Sequence, residues 1–481
     1  MNTLLILILC GAFSNCVTKA NLRSIVTPLF ALISFSYSCL LTYNIVFSNN
    51  MEGLLQITSI PLGFASLNFG INLINIAFVN LVLILWFIAS IYSYSYIKTN
   101  YPTKKDTIFQ LCYSFAVFFA VTFAFAKDVL TMFIIYELLT ISTIPLVGFK
   151  QTNQTKQGLF KYLIVLFGCS LVFLLPATLF VISQTGIVIF DGNGFIGNYE
   201  IPNYILKILL FIFILGIGKA AFFPFHIWLP SAMVAPTPVS GLLHAVAVVK
   251  VGAFFVIKLV VDVFGLEFLK TLLADFNFLM YLSAFTILFA SIVATFQGNL
   301  KKRLAYSTIA QISYIVLSLS TFTKIGVFAA MLQIVSHAIA KILLFFSVGG
   351  FYTATHSNQI IKFVGMYNKN KVASIAFIFA SFSLCGMPFT IGFFNKGMLF
   401  YNLVDSNFYL GIVVLTISAF LSFWYLMPVC YALLKPYSQK TIQNYTKIPL
   451  TFNFVFYFLI LLNIVLFFLV QLFFINYVNG W

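Results

Sequence analysis

Charge is what this chain has least of. Only 7% of its 481 residues are Asp, Glu, Lys or Arg, against about 25% in soluble domains, so water cannot solvate most of its surface. Acids are the scarcer sign: 10 Asp plus Glu face 26 Lys plus Arg, a net charge of +16. None of the cysteines (Cys10, Cys16, Cys39, Cys112, Cys169, Cys385, Cys430) stands in a Cys-x-x-Cys pair, which argues against a metal cage or a disulfide framework. There is no phosphate-binding Walker loop, no dinucleotide fingerprint and no haem motif. No cofactor is therefore expected, and redox or ATP energy would have to come from other subunits or from an ion gradient. Low-complexity stretches, long linkers and a soluble domain are also missing.

What is present is apolar: 62% of the residues are hydrophobic and the mean hydropathy is +1.06. Runs near 20 residues recur from end to end, each long enough to cross about 30 Å of hydrocarbon as a helix. The runs are continuously apolar rather than alternating, which predicts helices and not a barrel. The expected fold is all-α, one polytopic membrane domain over 1–481. Its fourteen helices are expected near 2–18, 24–47, 70–95, 107–126, 128–148, 158–182, 203–225, 237–261, 276–297, 304–321, 326–351, 372–395, 409–434 and 452–475. The first run has no charged leader and no clear cleavage site, so a retained helix is expected rather than a signal peptide.

A basic soluble protein would suggest nucleic acid. Here the charges sit in short loops between apolar runs, so they are read as topogenic and no nucleic-acid partner is expected. Alternate loops hold Lys19 and Arg23; Lys98, Lys104 and Lys105; Lys150 and Lys156, with Lys161 just beyond; Lys301, Lys302 and Arg303; Lys362, Lys369 and Lys371; and Lys435, Lys440 and Lys447. The intervening loops hold only Lys127, Lys207, Lys258, Lys270 and Lys324. By the positive-inside rule this places both termini outside. The longest outer loop, about 183–202, carries Asp191, Gly192, Gly194 and Glu200 and reads as turns.

Four lysines remain inside predicted helices, where a charge is costly and asks for a reason. Of the ten acids, only Glu137 falls at mid-helix; the others are expected in loops or at helix ends. Glu137 reads as a structural partner for a buried lysine and, compatibly with that, as a titratable group that tunes one. Lys219 stands in Gly216-Ile217-Gly218-Lys219-Ala220-Ala221-Phe222-Phe223-Pro224, and Pro224 cannot donate to the carbonyl of Ala220. The helix should open beside the lysine, freeing carbonyls for water. Snorkelling, the bland alternative, fits poorly so far inside a span. Pro236 and Pro238 open the next helix, which carries His244 and Lys250. As an ideal helix it would set them about 120° apart. A single buried His is usually just hydrogen-bonded; paired with a Lys on one apolar helix, it reads as a relay station. His337 and Lys341, four apart, share a face. Lys396 closes Gly386-Met387-Pro388…Gly392-Phe393-Phe394-Asn395-Lys396, where Pro388 and the two glycines predict a second broken helix. Its position near a helix end strengthens the snorkelling alternative there. A desolvated lysine gives up its proton more readily, and a nearby carboxylate opposes that. The hypothesis is that Glu137 modulates Lys219 while protons step through Lys250 and the His337/Lys341 helix toward Lys396.

These residues are where a resemblance enters. Pro224-Phe225-His226-Ile227-Trp228-Leu229-Pro230, Pro236-Thr237-Pro238-Val239-Ser240, Leu243-His244-Ala245, Tyr136-Glu137-Leu138, Lys302-Arg303-Leu304-Ala305-Tyr306-Ser307-Thr308, His337-Ala338 with Lys341, and the Lys396 stretch resemble the antiporter-like proton-translocating subunits. That family is shared by respiratory complex I and the Mrp-type multisubunit cation/proton antiporters. The resemblance covers nearly the whole chain. It implies two inverted five-helix repeats, about 107–261 and 276–434, with helices 7 and 12 broken at Pro224 and Pro388. It also implies proton-path roles for Glu137, Lys219, Lys250, His337, Lys341 and Lys396. Ser231, where the family often has Asp, and Asn395, where Gly or Ser is common, depart from the pattern.

Within the family, Lys250 following Leu243-His244-Ala245, and Lys396 at the end of helix 12, favour the D-type Mrp subunit. The chain stopping at Trp481, with no room for a lateral helix, points the same way. The alternatives are a proton-pumping subunit of an NADH–quinone oxidoreductase, which would make it part of an enzyme, and a structural subunit with a decayed path. The implied partners are other membrane subunits, the lipid bilayer and H⁺, with Na⁺ as the exchanged cation of an antiporter. The implied location is a bacterial plasma membrane, with the mitochondrial inner membrane as the alternative.

Overall fold

Backbone amides facing hydrocarbon must pair within their own segment, and a helix does this for one continuous run. The computed structural model of the protein describes residues 1–18, 20–47, 57–61, 63, 66–102, 106–436 and 448–479. Lys19, Lys104, Lys105, Lys440, Lys447 and Trp481 lie outside those residues. The helices in order are α1 (Asn2–Val17), α2 (Ala20–Phe47), α3 (Leu73–Asn100), α4 (Asp106–Phe125), α5 (Val129–Val147), α6 (Asn153–Thr185) and α7 (Asn203–Gly216). They continue with α8 (237–264), α9 (Phe278–Thr295), α10 (Leu300–Leu319), α11 (Lys324–Thr355), α12 (Lys371–Cys385, resuming over Ile391–Asp405), α13 (Tyr409–Leu434) and α14 (Leu450–Asn479). Nine helices among the described residues are by themselves long and apolar enough to cross a membrane. The others are α1, the interrupted α7 and α12, the irregular α8, and α10, whose first turn carries three cations. A small hairpin, β1 (Thr58–Pro61) and β2 (Ser66–Phe69), pairs Thr58 with Phe69 and Pro61 with Ser66.

The chain forms two compact units. The first comprises residues 1–94, 103–278 and 322–324, and the second 95–102, 279–321 and 325–481.

In the first unit α7 breaks earlier than the proline predicts. It ends at Gly216, a 3-10 turn spans Gly218–Ala220, and Ala221 is left-handed at φ 55°. Lys219 therefore sits inside the opened stretch, not at its edge. Tertiary crowding explains the shift. A Cβ on Gly216 would lie 2.6 Å from the Leu174 nitrogen of α6, and one on Gly252 of α8 would lie 2.5 Å from the Ala220 nitrogen. Only glycines allow such close backbone approach, so α6 and α8 hold the open segment between them. In α8, π-helical turns occupy Leu242–Val246 and Leu259–Phe264, and Ala247 is displaced to φ −114°, ψ −79°. The ideal-helix angle between His244 and Lys250 does not hold across that distortion.

In the second unit Pro388 does break α12, but the helix does not end there. It resumes at Ile391 and runs to Asp405, so Lys396 lies within a helix rather than at its end. A helix start leaves unpaired N–H groups, and here a distant residue takes one. The Asn463 Oδ1 of α14 accepts the Ile391 N–H at 3.3 Å, while Asn463 Nδ2 donates to Ser383 Oγ at 3.0 Å. Asn463 is fully buried. Asn463→Ala should lower stability by about 1–3 kcal/mol, the usual result of orphaning buried polar groups. Thermal unfolding of the solubilised protein measures it; an unchanged midpoint would mean that the helix restart does not need this cap.

Residues expected in the inner loop near 301 instead belong to α10. Lys301 is buried in its first turn. Arg303 donates to three carbonyls, those of Gln297 (3.0 Å), Tyr425 (2.8 Å) and Thr295 (3.3 Å), tying the end of α9 to α13. This is a structural cation.

Candidate proton-transfer sites

The first unit builds its site on the broken α7. Lys219 is fully buried and docks on α5. Its backbone N–H donates to Tyr136 Oη at 2.9 Å, its Nζ donates to the Tyr136 carbonyl, and that Nζ lies 3.0 Å from the centre of the Tyr136 ring. Trp228 Nε1 donates to the Gly218 carbonyl at 2.9 Å, so the stretch after the break locks the stretch carrying the lysine. Tyr136 is held edge-on against Phe255 of α8.

Glu137 follows Tyr136 directly, so the carbonyl that receives Lys219 belongs to its neighbour, and its carboxylate acts electrostatically on Lys219. The two do not form a direct ion pair. Among the described residues the ion pairs within 4.0 Å are Arg23–Asp106, Lys207–Asp275 and Lys258–Asp262. Neither buried oxygen of Glu137 has a hydrogen-bond partner among the described residues. A buried carboxylate without a protein partner is costly. His244 and Lys250 are both fully buried in α8, in the same unit as Lys219.

The second unit builds its site between α10, α11, α12 and α13. Lys341 Nζ donates to the Leu304 carbonyl at 3.0 Å and to Ser307 Oγ at 2.8 Å. Tyr425 Oη donates to the same Ser307 Oγ at 2.8 Å, and Ser422 joins Tyr425 at 3.2 Å. One turn back, His337 points to a different neighbour. It shares a small cavity of about 10 Å³ with Lys396, Asn395, Gln311 and Gln333, about the room one water requires. Asn395 Nδ2 donates to Gln333 Oε1, and Gln333 Nε2 donates to Gln311 Oε1 at 2.9 Å. Lys396 Nζ itself donates to the Cys385 carbonyl at 3.0 Å, a carbonyl left over where α12 breaks. A second cavity of about 550 Å³, mostly apolar, opens on the other side of Lys396 along Thr416 and Phe420 of α13.

Two groups of polar residues were not singled out from sequence: the amides Gln311, Gln333 and Asn395, and the hydroxyls Ser307, Ser422 and Tyr425. The amides come from three helices and the hydroxyls from two, so no single spacing rule along the chain joins either group. A sequence signal existed only for Asn395, as a departure from family pattern. Lys258 and Asp262 were misplaced. They were expected as a loop cation and a helix-end acid, but α8 runs on to Phe264 and both are buried.

Helices of this number, interrupted beside buried ammonium groups, define the class of multi-pass membrane proteins that carry ionisable side chains through the bilayer. Comparison with known proteins narrows the class. The family described as NADH:quinone oxidoreductase/Mrp antiporter, TM, matches residues 126–422, more than half of the chain, and this protein belongs to that family. It is 30% identical over 397 residues to NADH-quinone oxidoreductase subunit M of Rickettsia typhi (strain ATCC VR-144 / Wilmington), covering 80% of this chain and 77% of that one. It is also 30% identical over 321 residues to the putative antiporter subunit mnhA2 of Staphylococcus aureus (strain MRSA252), covering 62% of this chain and 38% of that one. The chain spans little more than a third of its longer curated relatives, 36% in one case and 38% in another. In fold it is similar to a chain in the structure of the membrane-bound sulfane sulfur reductase, an archaeal respiratory membrane complex. That likeness has a TM-score of 0.80 at 20% identity and covers 98% of this chain and 94% of the other. The family that the motifs suggested is thus the family found.

Proposed function

We propose that this protein is a proton-translocating subunit of a multisubunit membrane complex, with no catalytic chemistry of its own. One observation carries the reading: a fully buried lysine, Lys219, sits in a break in α7 beside Glu137, a carboxylate without a hydrogen-bond partner among the described residues. In this reading the ammonium rests on the Tyr136 carbonyl and ring, and the charge of Glu137 sets how readily it releases its proton. Lys250 and His244 act as further stations in the first unit, and His337, Lys341 and Lys396 in the second. The cavity shared by His337 and Lys396 supports the last step. The two opened stretches, at 216–221 and at 386–390, put Lys219 and Lys396 beside backbone that has left the regular helix.

Between the two kinds of complex, different observations favour different readings. His244 and Lys396 favour the D-type subunit of an Mrp cation/proton antiporter, with Na⁺ exchanged for H⁺ in a bacterial plasma membrane. The similarity to subunit M over 80% of this chain favours a proton-pumping subunit of an NADH–quinone oxidoreductase. The partners distinguish them. Tagged protein purified in mild detergent is expected to bring small antiporter subunits in the first case and flavin and iron–sulfur subunits in the second. A protein that purifies without other membrane subunits would overturn both.

A further inference from the structure

The interior holds one more acid–base pair, and the path described above does not use it. Lys258 and Asp262 of α8 lie one turn apart with Nζ and Oδ2 3.5 Å from each other, their side chains 2% and 8% exposed. Lys258 Nζ also donates to the Ala124 carbonyl of α4 at 3.4 Å. The pair occupies the last turns of α8, where the backbone widens into a π-helix over Leu259–Phe264. Such widened turns are frequent at functional sites.

Around it the loop after α6, the start of α5 and strand β2 are bonded together. The Lys127 Nζ and the Phe190 N–H tie the loop after α6 to the start of α5, through Phe190 O at 3.4 Å and Lys127 O at 2.8 Å. The Phe195 N–H donates to the Val263 carbonyl at 3.1 Å, which lays the same loop over the end of α8. From β2, Asn68 donates to Asp128, which caps α5 through the Thr131 N–H at 2.7 Å. The charged groups facing Lys258 are thus Asp262, Asp128 and Lys127. Asp128 is committed to Thr131 and Asn68, and Lys127 to the loop. Asp262 alone is the direct ionic partner of Lys258.

We propose that Lys258 and Asp262 form a terminal proton-exchange station of the first unit, linking the α8 lysines to the membrane face under the 183–202 loop. This rests on the reading of the chain as proton-translocating. A buried ion pair keeps its charges against a large desolvation cost, so the proton-swapped neutral pair lies close in energy. One N–H bond of the Lys258 ammonium breaks and one O–H bond forms on Asp262, leaving an amine and a carboxylic acid. The acid gives its proton to water at the loop, and the amine takes the next proton from the Lys250 side. Lys250 lies eight residues back, roughly 12 Å at 1.5 Å per residue, so water bridges that step. The reverse sequence runs protons the other way.

The test compares proton uptake by membrane vesicles carrying the intact native complex with two variants. Lys258→Arg keeps the ion pair, but a guanidinium does not release its proton. Lys258→Met with Asp262→Asn removes both charges, which a purely structural pair tolerates. Both are expected to leave the complex assembled and to lower proton uptake at least tenfold, as loss of a proton-transfer group does. If one variant fails to assemble, the other decides. Wild-type uptake by either one overturns the station. Lys219→Met run alongside separates the failures: if it is inactive while Lys258→Arg transports normally, only the station is wrong, and if it too transports, the proton-translocating reading falls with it.

Discussion

Replacing Lys219 by methionine should lower proton translocation by about 10²-fold or more, the range in which positioned proton-transfer groups contribute, while leaving the complex assembled. The second half of that expectation follows from the contacts. Methionine keeps the length and apolar bulk of the side chain but removes a buried charge, a change that is often neutral or stabilising. The Tyr136 carbonyl loses one donor yet still accepts the Thr140 hydroxyl at 3.3 Å. The Lys219 backbone bond to Tyr136 Oη and the Trp228 bond to Gly218 do not involve the side chain. Glu137 makes no direct ion pair with the lysine, so no short ionic contact is broken. Proton uptake by energised vesicles, read with subunit content on native gels, checks both halves. Normal uptake in an assembled Lys219→Met complex would remove the basis of the proposed function. Glu137→Gln should also slow uptake, by less, because it alters the tuning of the donor and leaves the donor in place.

Gly392→Ala should have the largest effect on folding. A Cβ there would lie 1.8 Å from the Ser383 carbonyl oxygen, and backbone cannot swing aside as a long side chain can. Overpacking commonly costs about 1–3 kcal/mol, and an overlap with backbone this deep belongs at or beyond the upper end. The resumed half of α12 would be pushed off the first half, carrying Asn395 and Lys396 out of the cavity they share with His337. Gly397→Ala is the control. It lies in the same helix with nothing within 4 Å of its Cβ position, and should stabilise by up to about 1 kcal/mol through helix propensity. Thermal unfolding in detergent compares the two; equal stability of both variants would contradict the close crossing of the α12 halves.

Much of this protein was legible in order along the chain. Fourteen segments could be counted because each apolar run answers to the thickness of the hydrocarbon layer, a one-dimensional rule. The two breaks could be anticipated because proline removes a donor wherever it stands. The buried Lys219, Lys250 and Lys341, and the half-buried Lys396, stood out because so few charges interrupt the runs. The errors lie where a neighbour from elsewhere intervenes. The α7 break moved back to Gly216 because α6 and α8 crowd it. Lys396 moved into a helix because Asn463, some seventy residues on, caps the restart. Lys258 and Asp262 went inside because α8 runs on to Phe264 and the loop after α6 lies over its end.

The sequence by itself determined that this is a helical membrane protein, where most of its helices fall and that α7 and α12 break near Lys219 and Lys396. Those outcomes depend on hydrophobic length and local backbone chemistry, which act between near neighbours in the chain. Only the tertiary structure decided which carbonyl or hydroxyl receives each ammonium, that Glu137 is not ion-paired with Lys219, and that His337 and Lys396 share one cavity. Hydrogen bonds and close packing act over a few ångströms in space, and the residues within that reach come from helices far apart in sequence.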